Sequence, residues 1–250
     1  MAGHNKWSKI KRQKKKNDRE KGRVFAKMSR EIAVAARQGG GDPEFNPRLR
    51  TAIENAQAEN MPNDNIERAI KRGTGDLPGV DYEEQSYEGY GPGGAALYME
   101  CMTDNANRTV QEIRHILDQH GGNLGRDGSV AWMFERAGQI YVDADRYDEE
   151  AVLEAALMAG GEDVTRAGDD FVVTTGTDDF HQVKERLRER GVEFREAELA
   201  MLPESTMALD GEHAPRLLAL LEELEDHDDV QKVYSNFEVD EDVVASLEAS

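Results

Sequence analysis

Apolar side chains recur at helical spacing near the start of the chain. Phe25, Met28 and Ile32 lie three and four residues apart, so one face of a helix would carry all three. The pattern predicts a helix from about residue 18 to residue 38, where a run of glycines ends it.

Two further short helices are predicted before residue 75. Asn46 followed by Pro47 is a favourable pair for an N-cap and a first helical turn. Asp64 and Glu67 have the spacing of a capping box, and Gly73 is placed to end the helix that this box begins. Narrow apolar stripes on three short helices predict a small bundle.

After a linker at residues 73–79, apolar stretches of strand period alternate with stretches of helical period. Strands are predicted at 97–101, 129–134, 140–142, 171–174, 192–196, 199–209 and 230–239, and helices at 107–120, 148–159, 177–190 and 214–224. This order predicts a multi-domain α+β protein, with a three-helix bundle and two ferredoxin-like α/β sandwiches, one inserted in the other. The predicted parts are a basic arm (1–17), the bundle (18–75), a split α/β domain (80–135 and 199–250) and an inserted α/β domain (136–198).

Charge separates the front of the chain from the rest. The first thirty residues hold twelve basic and two acidic side chains, although the formal net charge of the whole protein is −20. From Gly73 onward there are 13 basic and 42 acidic residues. An acidic surface repels polyanions, so phosphate contacts are expected in the first seventy residues or at local arginine clusters.

These charges predict a nucleic-acid-binding surface. The candidate contact residues are Lys6, Trp7, Lys9, Lys11, Arg12, Lys14, Lys15, Lys16, Arg19, Lys21, Arg23, Lys27, Arg48, Arg50, Lys71 and Arg72. Trp7 lies among lysines, where an aromatic ring can stack on an unpaired base. The alternative, that Trp7 folds back onto the helical domain, is equally compatible with the sequence.

Candidate catalytic chemistry is sparse. The six histidines are predicted in different elements, and His115 and His120 lack the i, i+4 spacing of a helical zinc pair. The glycine-rich run at 87–94 precedes a strand, whereas a phosphate-binding loop precedes a helix. The acidic run at 226–229 is typical of a solvated helix end. Cys101, the single cysteine, is expected to be a buried, inert thiol.

We therefore expect no enzyme activity, no cofactor, no metal site and no small-molecule substrate. Because no apolar run approaches about 18 residues, we also expect no membrane span.

Several blocks of sequence match those of a known family. They are Met1–Lys11, Asn46–Arg50, Asn60–Pro62, Ile66–Gly73, Glu88–Pro92, Asp104–Asn105 with Asn107–Thr109, Gly121–Gly125 and Gly128–Val130. On these blocks the chain closely resembles the YebC/PmpR proteins. The similarity is densest through residue 140 and continues more loosely to the end.

The resemblance implies a cytoplasmic protein of three domains, with the third domain inserted in the second. The family is described as probable transcriptional regulators that bind DNA. It also contains a mitochondrial translational activator, and bacterial members are linked to translation on ribosomes, including relief of stalling at proline-rich stretches. The family carries no catalytic motif onto this sequence.

Three functions remain open at this point. The first is a DNA-binding transcriptional regulator, which the family description favours. The second is an RNA- or ribosome-bound translation factor, which the lysine-rich arm and the lack of a base-reading helix favour. The third is an acidic adaptor whose arm binds its own body or another protein. Apart from these three functions, the acidic α/β domains are the expected place for protein partners.

Overall fold

The structure, a computed structural model, describes residues 18–238, with side chains from Lys21 onward. Its helices are α1 (Asp18–Gly39), α2 (Pro47–Ala58), α3 (Asn63–Thr74), α4 (Ala106–Gln119), α5 (Glu149–Ala159), α6 (Phe180–Glu189) and α7 (Ala214–Asp226). Its strands are β1 (Glu83–Tyr90), β2 (Ala96–Thr103), β3 (Asn123–Leu124), β4 (Phe134–Asp143), β5 (Asp163–Ala167), β6 (Asp170–Thr175), β7 (Glu196–Pro203), β8 (Met207–Ala208), β9 (Val230–Ser235) and β10 (Phe237–Glu238). The predicted multi-domain α+β class is confirmed.

Asn46 joins the end of α1 to the start of α2. Its Oδ1 accepts the N–H of Leu49 at 3.0 Å, as expected of an N-cap, and Pro47 begins the helix. Its Nδ2 donates to the carbonyl oxygens of Ala35 and Gly40, both at 2.8 Å. This buried amide therefore satisfies backbone groups of two helices at once.

The predicted capping box on α3 is wrong. Pro62 is the N-cap residue and no side chain caps the helix. The helix also continues past Gly73 and ends at Gly75, whose φ of +86° is the left-handed conformation that glycine adopts easily. Gly73 has a packing role instead, because a Cβ there would lie 2.3 Å from the carbonyl oxygen of Ala33.

The first four-stranded sheet has the order β3-β1-β2-β9. Strands β1 and β2 form an antiparallel hairpin, and β9 pairs antiparallel with the other side of β2. Residues of α4 and α7 share one buried core with β2 and β9, including Leu97, Ile113, Leu217 and Val233. Cys101 belongs to this core, so the expected burial of this thiol is confirmed, and burial raises its pKa to about 12.

The second sheet has the order β5-β6-β4-β7. Its chain order, β4-α5-β5-β6-α6-β7, is the βαββαβ arrangement of a ferredoxin-like sandwich. Ile140 and Val173 from the sheet pack with Val152 of α5 and with Phe180 and Leu187 of α6.

Several predicted strands are displaced. In the segment 129–134, residues 129–130 form a bend and Ala131–Met133 a 3-10 helix, and β4 begins only at Phe134. Most of the predicted strand at 192–196 is irregular, since β7 starts at Glu196. Strand β1 has no counterpart among the predicted strands, because its first four residues are polar and exposed.

The chain divides into two compact units. One contains the described parts of Met1–Arg30 and Leu202–Ser250 together with Val80–Glu135, and the other contains Glu31–Gly79 and Arg136–Met201. Within residues 18–238, no helix is both long and apolar enough to cross a membrane.

Candidate nucleic-acid interface

Half of the predicted contact residues belong to the basic arm. Lys6, Trp7, Lys9, Lys11, Arg12, Lys14, Lys15 and Lys16 lie outside the described residues. The backbone of Arg19 is in α1, but its side chain is also outside the described set.

The predicted contact residues on α1 face two environments. Lys21 is exposed. Arg23 and Lys27 reach the carboxyl end of α7, where Arg23 Nη1 lies 2.6 Å from Asp226 Oδ2 and Lys27 Nζ donates to the carbonyl oxygen of Glu225 at 2.5 Å. The C-terminus of a helix carries partial negative charge, so this end of α7 attracts cations. A phosphate would compete with it for Arg23 and Lys27.

Arg30 extends this interaction by one more turn of α1. It donates to the carbonyl oxygen of Asp228, and its guanidinium lies 5.3 Å from the ring centroid of Tyr82. It is also 3.9 Å from Asp229. The sequence interpretation of the acidic run at 226–229 as a solvated helix end holds for Asp228, which is exposed, and is wrong for Asp229, which is only 3% exposed.

The two predicted arginines of α2 are engaged within their own unit. Arg48 places Nε 2.8 Å and Nη2 3.0 Å from the two carboxylate oxygens of Glu31, and it also donates to Gln38. This forked geometry is the strongest form of an arginine–carboxylate pair. Arg50 donates to the carbonyl oxygen of Pro43 at 3.1 Å. Arg48 therefore joins α2 to α1, and Arg50 holds Pro43 of the loop between them.

Helix α3 presents exposed cations. Lys71 makes only a loose pair with Glu67, at 3.8 Å and with both side chains more than half exposed. Arg68, one turn before Arg72, donates to the carbonyl oxygen of Asp64 and to Asn65. Arg72 is exposed and has no ion pair with any residue in the range 18–238. Lys71 and Arg72, like Lys21, are therefore predicted contact residues whose side chains are exposed.

Asp229 is the centre of a network that the sequence did not reveal. It accepts from Arg108 at 2.6 Å, Thr109 at 2.8 Å and Thr103 at 3.2 Å. Burial raises its pKa, but these hydrogen bonds and the charges of Arg108 and Arg30 outweigh burial and leave the pKa below its ordinary value. The nearest signal in the sequence is the Asp104–Thr109 block, which by itself predicts only a helix start.

Glu112, His227 and Asp229 have ligand atoms within 4.8 Å of one another, as a metal site would require. Arg108 already binds Asp229 and lies 3.7 Å from Glu112. The Nδ1 of His227 accepts the N–H of Asp229, and its Nε2 faces Glu112 at 3.0 Å. The guanidinium of Arg108 therefore lies between the carboxylates of Asp229 and Glu112, and these three side chains form an ion-pair network.

Glu88 organises a surface turn in the first sheet's unit. Only 7% of this residue is exposed, and its carboxylate accepts the backbone N–H groups of Gly128 at 2.7 Å, Val130 at 2.6 Å and Ala131 at 2.8 Å. Burial raises the pKa of Glu88, but the three N–H donors outweigh it and lower the pKa overall. The adjoining Trp132 is 70% exposed.

Comparison with known proteins identifies relatives along the whole chain. A family model described as the TACO1/YebC protein N-terminal domain matches residues 5–76. A second, described as the TACO1/YebC second and third domain, matches residues 82–237. A probable transcriptional regulatory protein of Halothermothrix orenii is 53% identical over 250 residues and covers 99% of both chains. One of Persephonella marina is 55% identical over 249 residues, covering 99% of this chain and all of that one.

A solved structure has the same fold. The crystal structure of a conserved hypothetical protein, Aq1575, from Aquifex aeolicus superposes with a TM-score of 0.85 at 48% sequence identity. The match covers 90% of this chain and 93% of the other.

Proposed function

Because the chain belongs to the TACO1/YebC family, we propose that it is a nucleic-acid-binding regulator of gene expression. The observation that carries this proposal is the charge reversal along the chain. Residues 1–72 hold 18 basic and 9 acidic side chains, whereas the remainder is strongly acidic. Such a protein would bind a polyanion mainly through its front end.

DNA is the first candidate ligand, since the curated relatives are named probable transcriptional regulatory proteins. The test is binding of labelled promoter duplex against scrambled duplex of equal length at physiological salt. Tighter binding to the promoter supports a DNA-binding transcriptional regulator. Equal binding would reject sequence-specific regulation at that promoter and leave general phosphate binding.

RNA on the ribosome is the second candidate, favoured by the character of α3. Its exposed face offers Arg68, Lys71 and Arg72 beside acidic Asp64 and Glu67. Guanidinium and ammonium groups suit phosphates, whereas two side chains of α3 that could read base edges in a major groove, Asn65 and Arg68, are hydrogen-bonded to each other. Phosphate contacts position a protein on a nucleic acid without reading its sequence.

Ribosome co-sedimentation tests this second candidate. We expect full-length protein to sediment with ribosomes and a variant lacking Met1–Lys16 to remain in the supernatant. A shortened variant that sediments as well as the full-length protein would exclude the arm as the anchor. Repeating the experiment with the Lys71→Gln/Arg72→Gln variant separates the contribution of α3 from that of the arm.

A further inference from the structure

The turn that Glu88 holds is built from several independent contacts. Ser129 N donates to the carbonyl oxygen of Arg126 at 3.0 Å, which closes the turn, and Gly128 has a φ of +80°. The hydroxyl of Tyr90 donates to the carbonyl oxygen of Ser129 at 3.0 Å. Together with the three N–H groups bound by Glu88, these contacts fix the backbone of the segment.

Trp132 is held by the same turn. Its indole Nε1–H donates to the carbonyl oxygen of Ser129 at 3.1 Å, while the residue is 70% exposed. The polar edge of the ring is therefore satisfied by the protein and the rest of the indole is available to solvent. Immobilising an exposed aromatic ring in advance reduces the entropy that a ligand must overcome on binding.

We propose that Trp132 is a stacking platform for an unpaired nucleobase, with Arg126 contacting a phosphate of the same strand. This inference rests on the proposed function. It adds that the unit with the first sheet would recognise an unpaired base and one phosphate of the nucleic acid. Arg126 is exposed and has no ion pair with any residue between 18 and 238. Trp132 and Arg126 belong to the same turn, since Ser129 bonds to both through its backbone. An exposed aromatic ring together with an arginine is a combination by which proteins bind single-stranded nucleic acid.

The surroundings of Trp132 favour a base over a protein partner. Among the large apolar side chains that the described residues expose, only Val80 and Trp132 belong to this unit. A protein-docking patch needs contiguous apolar area, which one ring does not supply. Asp127, exposed beside Arg126, disfavours further phosphates, so a single phosphate contact is expected. Bases in a duplex are already stacked, so the ligand is a single strand or a loop.

Fluorescence gives a direct test, because the protein has two tryptophans and Trp7→Phe leaves Trp132 as the only one. The probes are an unstructured oligouridylate and a blunt-ended duplex. We expect the oligouridylate to quench Trp132 saturably and the duplex to leave it nearly unchanged. In the full-length protein, Trp132→Ala is expected to weaken oligouridylate binding about 5- to 150-fold, the range for one base stacked on an aromatic side chain.

Three variants complete the experiment. Trp132→Phe keeps a ring and should retain part of the affinity. Arg126→Gln should reduce the slope of log affinity against log salt by about 0.7, the value for one phosphate on a single strand. Leu157→Ala removes another apolar side chain, 61% exposed, and should leave binding unchanged.

Different results would reject the stacking platform and the proposed function. If oligouridylate binds but neither quenches Trp132 nor responds to Trp132→Ala, the stacking platform is rejected and nucleic-acid binding stands. If neither probe binds the full-length protein, both are rejected.

Discussion

Glu88 and Lys184 are charged residues in the interior, and each is stabilised by partners distant in sequence. Lys184, 1% exposed, lies 2.8 Å from Glu54 and 2.9 Å from the hydroxyl of Thr51. The sequence showed the charged residues but not these pairings, because an ion pair between distant segments leaves no local pattern. For the same reason, the sequence predicted Arg48 as a phosphate contact and did not reveal its ion pair with Glu31.

Replacing Glu88 with Gln should destabilise the protein by about 1–3 kcal/mol, since an amide cannot accept three N–H groups as a carboxylate does. Urea unfolding at pH 7 measures the decrease. Glu83→Gln, an exposed change on the same strand, is the control and should shift stability by less than about 0.5 kcal/mol. Equal effects of the two substitutions would contradict this role for Glu88.

The same variant should show a defined pH dependence. The pKa of Glu88 is below its ordinary value of 4.5, so the folded state binds this proton less tightly than the unfolded state. The stabilisation is complete above about pH 4.5 and disappears as pH falls through the folded-state pKa. The difference between wild type and Glu88→Gln should therefore shrink on acidification, as measured by urea unfolding from pH 7 downward.

For the buried pair, Glu54→Gln should cost more stability than Lys184→Met. Burial lowers the pKa of Lys184 even though the carboxylate of Glu54 lies nearby. Glu54→Gln removes this counter-charge from the buried ammonium, which should lower the stability by about 3 kcal/mol or more. After Lys184→Met, Glu54 still pairs with Arg188 at 3.0 Å. Urea unfolding gives the order, and the double variant should be more stable than Glu54→Gln alone. The reverse order would show that Lys184 contributes mainly by packing.

At the scale of elements, local signals located helices better than strands. The helix predicted at 18–38 is α1 at Asp18–Gly39, because its apolar spacing and the following glycines act within the element. Strand β1 begins with four exposed polar residues, and its place depends on pairing with β2. Such pairing is a tertiary property that alternation of apolar residues alone does not reveal.

Asn46→Ala tests the junction between α1 and α2. We expect a decrease in stability of about 2 kcal/mol, because the substitution removes an N-cap and leaves two carbonyl groups without their donor. Thermal unfolding compares it with Asn63→Ala, an exposed position in a helix without a side-chain cap, which should change little. If Asn46→Ala lowers the stability no more than Asn63→Ala does, water makes the hydrogen bonds of the missing Asn46 amide.

At the scale of the whole molecule, charge separates along the sequence. Lys71→Gln/Arg72→Gln should weaken binding to duplex DNA and reduce the slope of log affinity against log salt by about 0.9 for each phosphate that the variant no longer neutralises. Arg190→Gln is the control, since it removes an exposed cation from the acidic part of the chain. An unchanged slope in the double variant would exclude α3 from the interface.

The pairing of β2 with β9 has a consequence for synthesis of the chain. Leu97 pairs with Ser235, so β2 keeps one hydrogen-bonding edge open until residues 230–235 have left the ribosome. An uncovered strand edge next to apolar Leu97 and Met99 is a template for aggregation. A product truncated before residue 230 lacks the strand that covers this edge. We expect such products to be recovered in inclusion bodies or degraded, even though residues 136–201, with the second sheet, are already complete.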